Sequence, residues 1–280
     1  MREIHIDEII KTVRQMCIDA NCNLNQDIET ALQCGLARET NPIAQTMLTD
    51  ILKNADIARA EQMPICQDTG MAVFFLELGQ DMHIVGGSLK DAINEGVRQG
   101  YADGYLRKSV VADPVRRGNT GDNTPAVIHT EIVDGENLTI TLAPKGFGSE
   151  NTSAVKMCKP SEGLEGIIDF VVNTVKNAGS NPCPPLVVGV GIGGTFEKCA
   201  HLAKSALLRE VDSKNPDPYY AQLEETLLEK INALDIGPQG FGGVTTALGV
   251  NVETYPTHIA GMPCAVNINC HVTRHVTKVI

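Results

Sequence analysis

Ala126-Val-Ile-His-Thr-Glu-Ile-Val133 alternates apolar and polar residues, Asp134-Gly135 interrupts the pattern, and Leu138-Thr-Ile-Thr-Leu142 resumes it. A period of two marks strands, and an Asp-Gly pair between two such runs predicts an antiparallel hairpin. The chain changes period here. Upstream, Ile6, Ile9, Ile10, Val13, Met16 and Cys17 form the stripe of an amphipathic helix. Two more helices are predicted around 26–38 and 42–61, the second opened by Asn41 as N-cap with Pro42 at the first helical position. Met71–Leu78 is a continuous apolar run and reads as a buried strand, and Ser88 caps a helix over about 89–102. Downstream, a helix over 162–177 ends before Gly179. Leu186–Val190 is a strand, and helices follow over about 195–210 and 217–234. About the last 40 residues are rich in Val, Thr and Ile and read as strands. The fold class is α/β of the mixed α+β kind. A helical N-terminal part over about 1–62 packs on a mixed-sheet α/β core over about 63–280, and no repeat or linker divides the chain.

With 280 residues, the chain corresponds to about two domains at roughly 150 residues each. A hydrophobic content of 42% with 20% charged residues supports a sizeable core and excludes disordered and fibrous classes. A formal charge of −11, with no Lys/Arg run longer than a pair, excludes nucleic acid as a partner. The first eight residues, Met-Arg-Glu-Ile-His-Ile-Asp-Glu, are charged and contain no signal-peptide core. No apolar stretch approaches the ~20 residues of a membrane span. A soluble, cytoplasmic protein is expected.

Nine cysteines without a secretion signal are reduced thiols, in the core or on metal, rather than a disulfide framework. Cys17, Cys22, Cys34, Cys158 and Cys199 lie in or beside helical patterns and read as small hydrophobes. Three others are flanked by Pro or Gly: Met63-Pro-Ile-Cys66-Gln-Asp-Thr-Gly70, Ser180-Asn-Pro-Cys183-Pro-Pro185 and Gly261-Met-Pro-Cys264-Ala265. Each is expected on a rigid turn, where scaffolds place functional side chains. Their separations exclude compact ferredoxin and zinc-finger spacings, so any metal site they share is assembled by the fold. If Cys66 holds a metal, Asp68 two residues on would sit where its proton could serve chemistry there; a plain turn carboxylate is the other reading.

Other strings admit more than one use. Gly189-Val-Gly-Ile-Gly-Gly194 follows a strand and precedes a helix, the context of a dinucleotide turn, but no acidic strand end follows about 20 residues later. Its amides also suit a substrate carboxylate, or simply a tight turn. Cys270-His271 with His275 hints at zinc, yet on a strand the two histidines lie about 13 Å apart, too far for one tetrahedral ion. Lys145-Gly-Phe-Gly-Ser-Glu-Asn151 offers amides and a lysine to an anion, or is a plain surface turn. Arg107, Lys108, Arg116 and Arg117 bracket a Pro/Gly-rich loop that is either solvated or a substrate clamp.

Taken together, Pro-Ile-Cys66-Gln-Asp-Thr-Gly, Leu106-Arg-Lys-Ser109, Lys145-Gly-Phe-Gly-Ser-Glu-Asn, Asn181-Pro-Cys183-Pro-Pro, Ile236-Gly-Pro-Gln-Gly-Phe-Gly-Gly243 and Met262-Pro-Cys264-Ala-Val resemble the alpha-type chain of class I fumarate hydratases. The L(+)-tartrate dehydratase alpha subunit belongs to the same iron–sulfur hydro-lyase family. The resemblance implies a [4Fe–4S] cluster on Cys66, Cys183 and Cys264, three thiolates rather than four leaving one iron open as a Lewis acid. It further implies Asp68 as the acid/base, Gln67 and Arg107 as substrate contacts, and Gly146 or Gly148 as a glycine whose backbone approaches substrate. Phe147 stands where many relatives have another glycine, and His258 falls near a family Pro-x-His. Single-chain members carry a C-terminal half with further arginine, lysine and threonine residues. This chain stops after the third cysteine motif, so a separate beta subunit is expected to complete the site, in an α2β2-type assembly on a small dicarboxylate. The implied reaction is reversible hydration of fumarate to (S)-malate, with L(+)-tartrate dehydration as the alternative. An NAD(P)-dependent dehydrogenase built on Gly189–Gly194, and an iron–sulfur or zinc scaffold without chemistry, are the readings of other classes.

Overall fold

The computed structural model describes residues 2–280. In chain order it contains β1 (Arg2–His5), α1 (Ile6–Cys22), α2 (Gln26–Arg38), α3 (Pro42–Glu61), β2 (Met71–Gly79), β3 (Met82–Val85), α4 (Leu89–Asp103), β4 (Val127–Val133) and β5 (Leu138–Lys145). There follow α5 (Phe147–Glu150), β6 (Ala154–Cys158), α6 (Gly163–Ala178), β7 (Leu186–Gly193), α7 (Phe196–Ala206), α8 (Pro218–Asn232), β8 (Ala247–Tyr255), β9 (Met262–Asn269) and β10 (Val276–Val279). This is the mixed α/β class the periodicities predict. Two compact units share the chain: Met1–Leu24, Asn54–Gly146 and Arg274–Ile280 form the first, Asn25–Lys53 and Phe147–Thr273 the second.

In the first unit a four-stranded sheet runs in the order β10-β5-β2-β4, and β1 pairs β3 in parallel. The predicted hairpin does not form. β2 lies between its two arms, parallel to β4 (Val73↔Val127) and antiparallel to β5 (Phe74↔Leu142). The reason is burial: the apolar run of β2 needs a neighbour on each side, whereas β4 is mostly exposed and suits an edge. Asp134-Gly135 still turns the chain, but over the end of β2, where Gln80 N–H donates to the Val133 carbonyl and Asp81 N–H to that of Gly135. Helices α1 and α4 close the core, which joins Ile9, Val13, Met16, Ile93, Val97 and Tyr101 to Phe74, Leu76, Ile140 and Leu142. Ser88 Oγ accepts the Asp91 N–H at 3.3 Å, the predicted cap of α4.

In the second unit the sheet order is β6-β9-β7-β8. Every residue of β7 is buried, so both faces are covered. Val188, Val190 and Ile192 face the core with Ile167, Val171, Leu223, Leu227 and Ile231 of α6 and α8. The alternate residues are Gly189 and Gly191, and they admit α7. A Cβ on Gly189 lies 2.0 Å from the Ala203 carbonyl oxygen, and one on Gly191 lies 2.1 Å from that of Cys199. The glycine string is therefore accounted for by helix-on-strand packing. Residues 270–275, expected to continue a strand, are irregular between β9 and β10.

Candidate active site

The first unit presents Cys66, Gln67 and Asp68 on the turn between α3 and β2. Asp68 N–H points at Cys66 Sγ (3.4 Å), and Asp68 Oδ1 accepts the Gly70 N–H at 3.0 Å. Cys66 and Asp68 are half-buried, and Gln67 is exposed. Three consecutive carbonyls of this turn are gripped by buried side chains. Arg274 Nη2 donates to the Asp68 oxygen at 2.6 Å. Tyr101 Oη reaches those of Thr69 and Gly70 at 2.9 and 3.0 Å, and Asn123 Nδ2 donates to that of Gly70 at 3.1 Å. Burial pushes the Tyr101 hydroxyl far above the ordinary phenol range, so it is a neutral donor at all working pH values.

The same turn sets Arg107. Arg107 N–H donates to Thr69 Oγ1 at 2.9 Å, Thr69 Oγ1 donates back to the Arg107 carbonyl at 3.2 Å, and Asn123 Oδ1 accepts the Ser109 and Val110 amides. The Arg107 main chain is thus stapled beside the Cys66 turn while its side chain is exposed. Gly146 belongs here too: a Cβ on it would lie 3.0 Å from Asp68 Oδ2, tighter than an ordinary contact. The nearest atom to a Cβ on Gly148, in the second unit, is the Asn181 carbonyl oxygen at 3.7 Å. Lys145, for which the sequence left open an anion site or a plain surface turn, is buried and donates to the Gly146 carbonyl at 3.3 Å.

In the second unit Cys183 is exposed on the loop before β7, in left-handed backbone at φ 55°. His271 N–H donates to the Cys183 carbonyl at 3.3 Å, and Gln239 donates to the Pro184 carbonyl from both its main-chain N–H (2.8 Å) and Nε2 (2.7 Å). Gln239 Nε2 also lies 3.1 Å from His271 Nδ1. The segment that follows β9 therefore sits against the Cys183 loop, and its first residue, Cys270, is half-buried. Cys264 differs from expectation. It lies inside β9 rather than on a turn, fully buried among Cys158, Ile167, Ile192 and Val266. Burial pushes its thiol far up, with Cys158 and then Cys199 adding to the shift. His258 is exposed, and its Nδ1 accepts the Ala260 N–H. Within neither unit do three His, Cys, Asp or Glu side chains of the described residues converge on a metal-sized point.

Asn123, Tyr101 and Arg274 escape a sequence reading because each is far from the cysteine motif in the chain and meets it only through the fold. Cys270 and His271 are visible in sequence, but a strand geometry imposed on them separates them from Cys183. Among the described residues, no helix is long and apolar enough to cross a membrane.

A sequence profile described as fumarate hydratase (Fumerase) matches residues 10–279. A provisionally named L(+)-tartrate dehydratase subunit alpha of Methanocaldococcus jannaschii is 40% identical over 279 residues, 97% of each chain. The L(+)-tartrate dehydratase alpha subunits of Escherichia coli O157:H7 and Shigella sonnei are each 34% identical over 241 residues, 85% of this chain and 78% of theirs. A match spanning nearly every residue that builds the two cysteine-bearing loops places the chain in the fumarate hydratase family of hydro-lyases.

Proposed function

We propose that this chain is the alpha subunit of a hydro-lyase that reversibly hydrates fumarate to (S)-malate in the cytoplasm, its site completed by a separate beta subunit in an α2β2-type assembly. The observation that carries the reading is the Cys66–Gly70 turn, where a thiol, an amide and a carboxylate are held side by side by Arg274, Tyr101 and Asn123. The naming of the relatives as alpha subunits supports the partner.

The donor set fits a [4Fe–4S] cluster in part. Cys66 and Cys183 are accessible thiols on turns, and Cys66 Sγ already lies within reach of an N–H, as a sulfur that carries negative charge requires. Cys264 has neither property, and a thiolate in that apolar surround is costly. The third thiolate is therefore assigned to Cys270, which follows β9 and precedes the residue bonded to Cys183. Three thiolates leave one iron of such a cluster open as a Lewis acid toward a hydroxyl leaving group.

The remaining roles belong to side chains of this chain. Asp68 carries the proton that leaves or joins the carbon next to the hydroxyl-bearing one, a step a positioned carboxylate accelerates by roughly 10²–10⁴. Arg107, exposed and fixed at its main chain, receives a substrate carboxylate with its planar fork. The Gln67 amide supplies a donor beside it, and a side chain at Gly146 would press on the Asp68 carboxylate. The chain's net charge of −11 makes such fixed cations necessary for binding a dianion.

L(+)-tartrate is the second reading, favoured by the names of the relatives. The test is the two-chain complex, purified without oxygen and assayed with fumarate, malate and both tartrates. Turnover of fumarate at the highest kcat/KM supports the proposal, and a preference for L(+)-tartrate moves it to the second reading. A complex with full iron content that converts none of the four overturns it.

A further inference from the structure

Arg274 is 4% exposed, and among the described residues only its Nη2 is hydrogen-bonded, while Nε and Nη1 are buried without a hydrogen-bond partner. A guanidinium withdrawn from water is costly unless it is paired, and an apolar residue of similar volume fills such a place more cheaply. Its one bond is charge-assisted, short, and directed at a main-chain oxygen of the turn that carries Cys66, Gln67 and Asp68. The neighbouring carbonyls of Thr69 and Gly70 are held by the neutral groups of Tyr101 and Asn123. Of the three grips, Arg274 alone brings charge. It also comes from the irregular segment before β10, so the grip spans the chain from its C-terminal segment to its first cysteine motif.

We propose that Arg274 is a positioning residue of the reaction: it clamps the Asp68 main chain, thereby fixing the directions of the Cys66 thiol and the Asp68 carboxylate, and places an unneutralised positive charge behind a turn that meets an anionic substrate. The proposal rests on the hydro-lyase reading. Asp68 N–H faces Cys66 Sγ and Asp68 C=O faces Arg274, so the residue that connects thiol to guanidinium is the acid/base itself. Loosening the clamp frees both side chains together. The guanidinium, with two of its nitrogens unpartnered, adds the charge by which Arg differs from a neutral amide donor.

The test uses Arg274→Met, Arg274→Gln and Arg274→Lys. In the metal-free full chain, N-ethylmaleimide labelling of Cys66 is read by peptide mass spectrometry against Cys34, which is exposed on α2 and serves as the internal standard. The Cys66/Cys34 ratio is expected to change roughly tenfold in Arg274→Met, as loss of one charge-assisted bond from a turn predicts, with Arg274→Lys between it and the parent. In the two-chain complex kcat should fall by about the same factor, KM should rise in Arg274→Gln, and Arg274→Lys should recover part of both. A purely structural arginine lowers thermal stability in all three variants without moving the labelling ratio or separating Lys from Gln, and that result overturns the proposal. If Arg274→Met does not fold, the Lys and Gln pair decides alone. If the parent complex converts no dicarboxylate, the hydro-lyase reading fails, while the labelling ratio still reports whether the clamp exists.

Discussion

Replacing Cys264 and Cys270 in turn separates two thiols that the sequence motifs alone do not rank. Cys264 is fully buried in the core of the second unit, so Cys264→Ala removes one sulfur from a packed site. The cost is that of the smallest cavity-forming changes, about 1 kcal/mol, and a shift in Tm of roughly 2–4 °C for a chain of this size. Cys264→Ser fills the space but puts a hydroxyl among Cys158, Ile167, Ile192 and Val266, which adds about 1–3 kcal/mol unless it finds a carbonyl. Cys270 is half-buried after β9, and Cys270→Ala should stay within about 1 kcal/mol of the parent. Iron content is expected to run the other way. After anaerobic reconstitution of the two-chain complex, Cys264→Ala should keep parental iron and sulfide per chain together with parental turnover, and Cys270→Ala should lose both. Loss of iron in Cys264→Ala with retention in Cys270→Ala would refute the assignment and the burial argument beneath it.

Three further outcomes follow from the geometry. Asp68→Asn should lower kcat of the complex by about 10²–10⁴ with little change in melting, because its neighbours are retained and only the proposed proton carrier is lost; a fall of less than about tenfold removes Asp68 from the chemistry. Glu39 is buried and accepts the N–H groups of Thr40, Asn41 and Val244, so Glu39→Ala strands three donors and should cost about 3 kcal/mol in urea titration. Gly191→Ala forces α7 off β7 through the 2.1 Å approach to Cys199, and circular dichroism should show a loss of about 3 kcal/mol or a failure to fold.

Helices were the most legible part of the sequence, because their signals are local. Asn41-Pro42 opens α3 with Asn41 Oδ1 accepting the Ile43 N–H, Ser88 caps α4, and α6 runs to Ala178, just before Gly179. Strand identity was legible, but strand pairing was not. Val127–Val133 and Leu138–Lys145 are strands, yet which partner each takes is decided by the demand of Met71–Gly79 for two neighbours, a fact about burial rather than about the Asp-Gly turn. Short strands such as Arg2–His5 and Ala154–Cys158 carry too few residues to display a period. At the site, Cys66, Gln67, Asp68 and Arg107 stood out through adjacency or motif. Cys264 and Cys270 are six residues apart on one strand and its exit, and only coordinates tell that the first faces the core. Tyr101, Asn123 and Arg274 act through main-chain carbonyls, which leave no mark in a side-chain motif.

The order in which the chain visits its two units constrains its synthesis. β5 finds its edge partner in β10 only after the entire excursion Phe147–Thr273 has been made. A ribosome therefore delivers a second unit ready to collapse while the first still shows an unzipped strand and lacks the guanidinium beneath its cysteine turn. Non-local closure of this kind is slow, and an open edge invites wrong pairing meanwhile. The Cys66 turn should accordingly reach its final form late, once Arg274 has been made, and nascent chains are the form most in need of a chaperone.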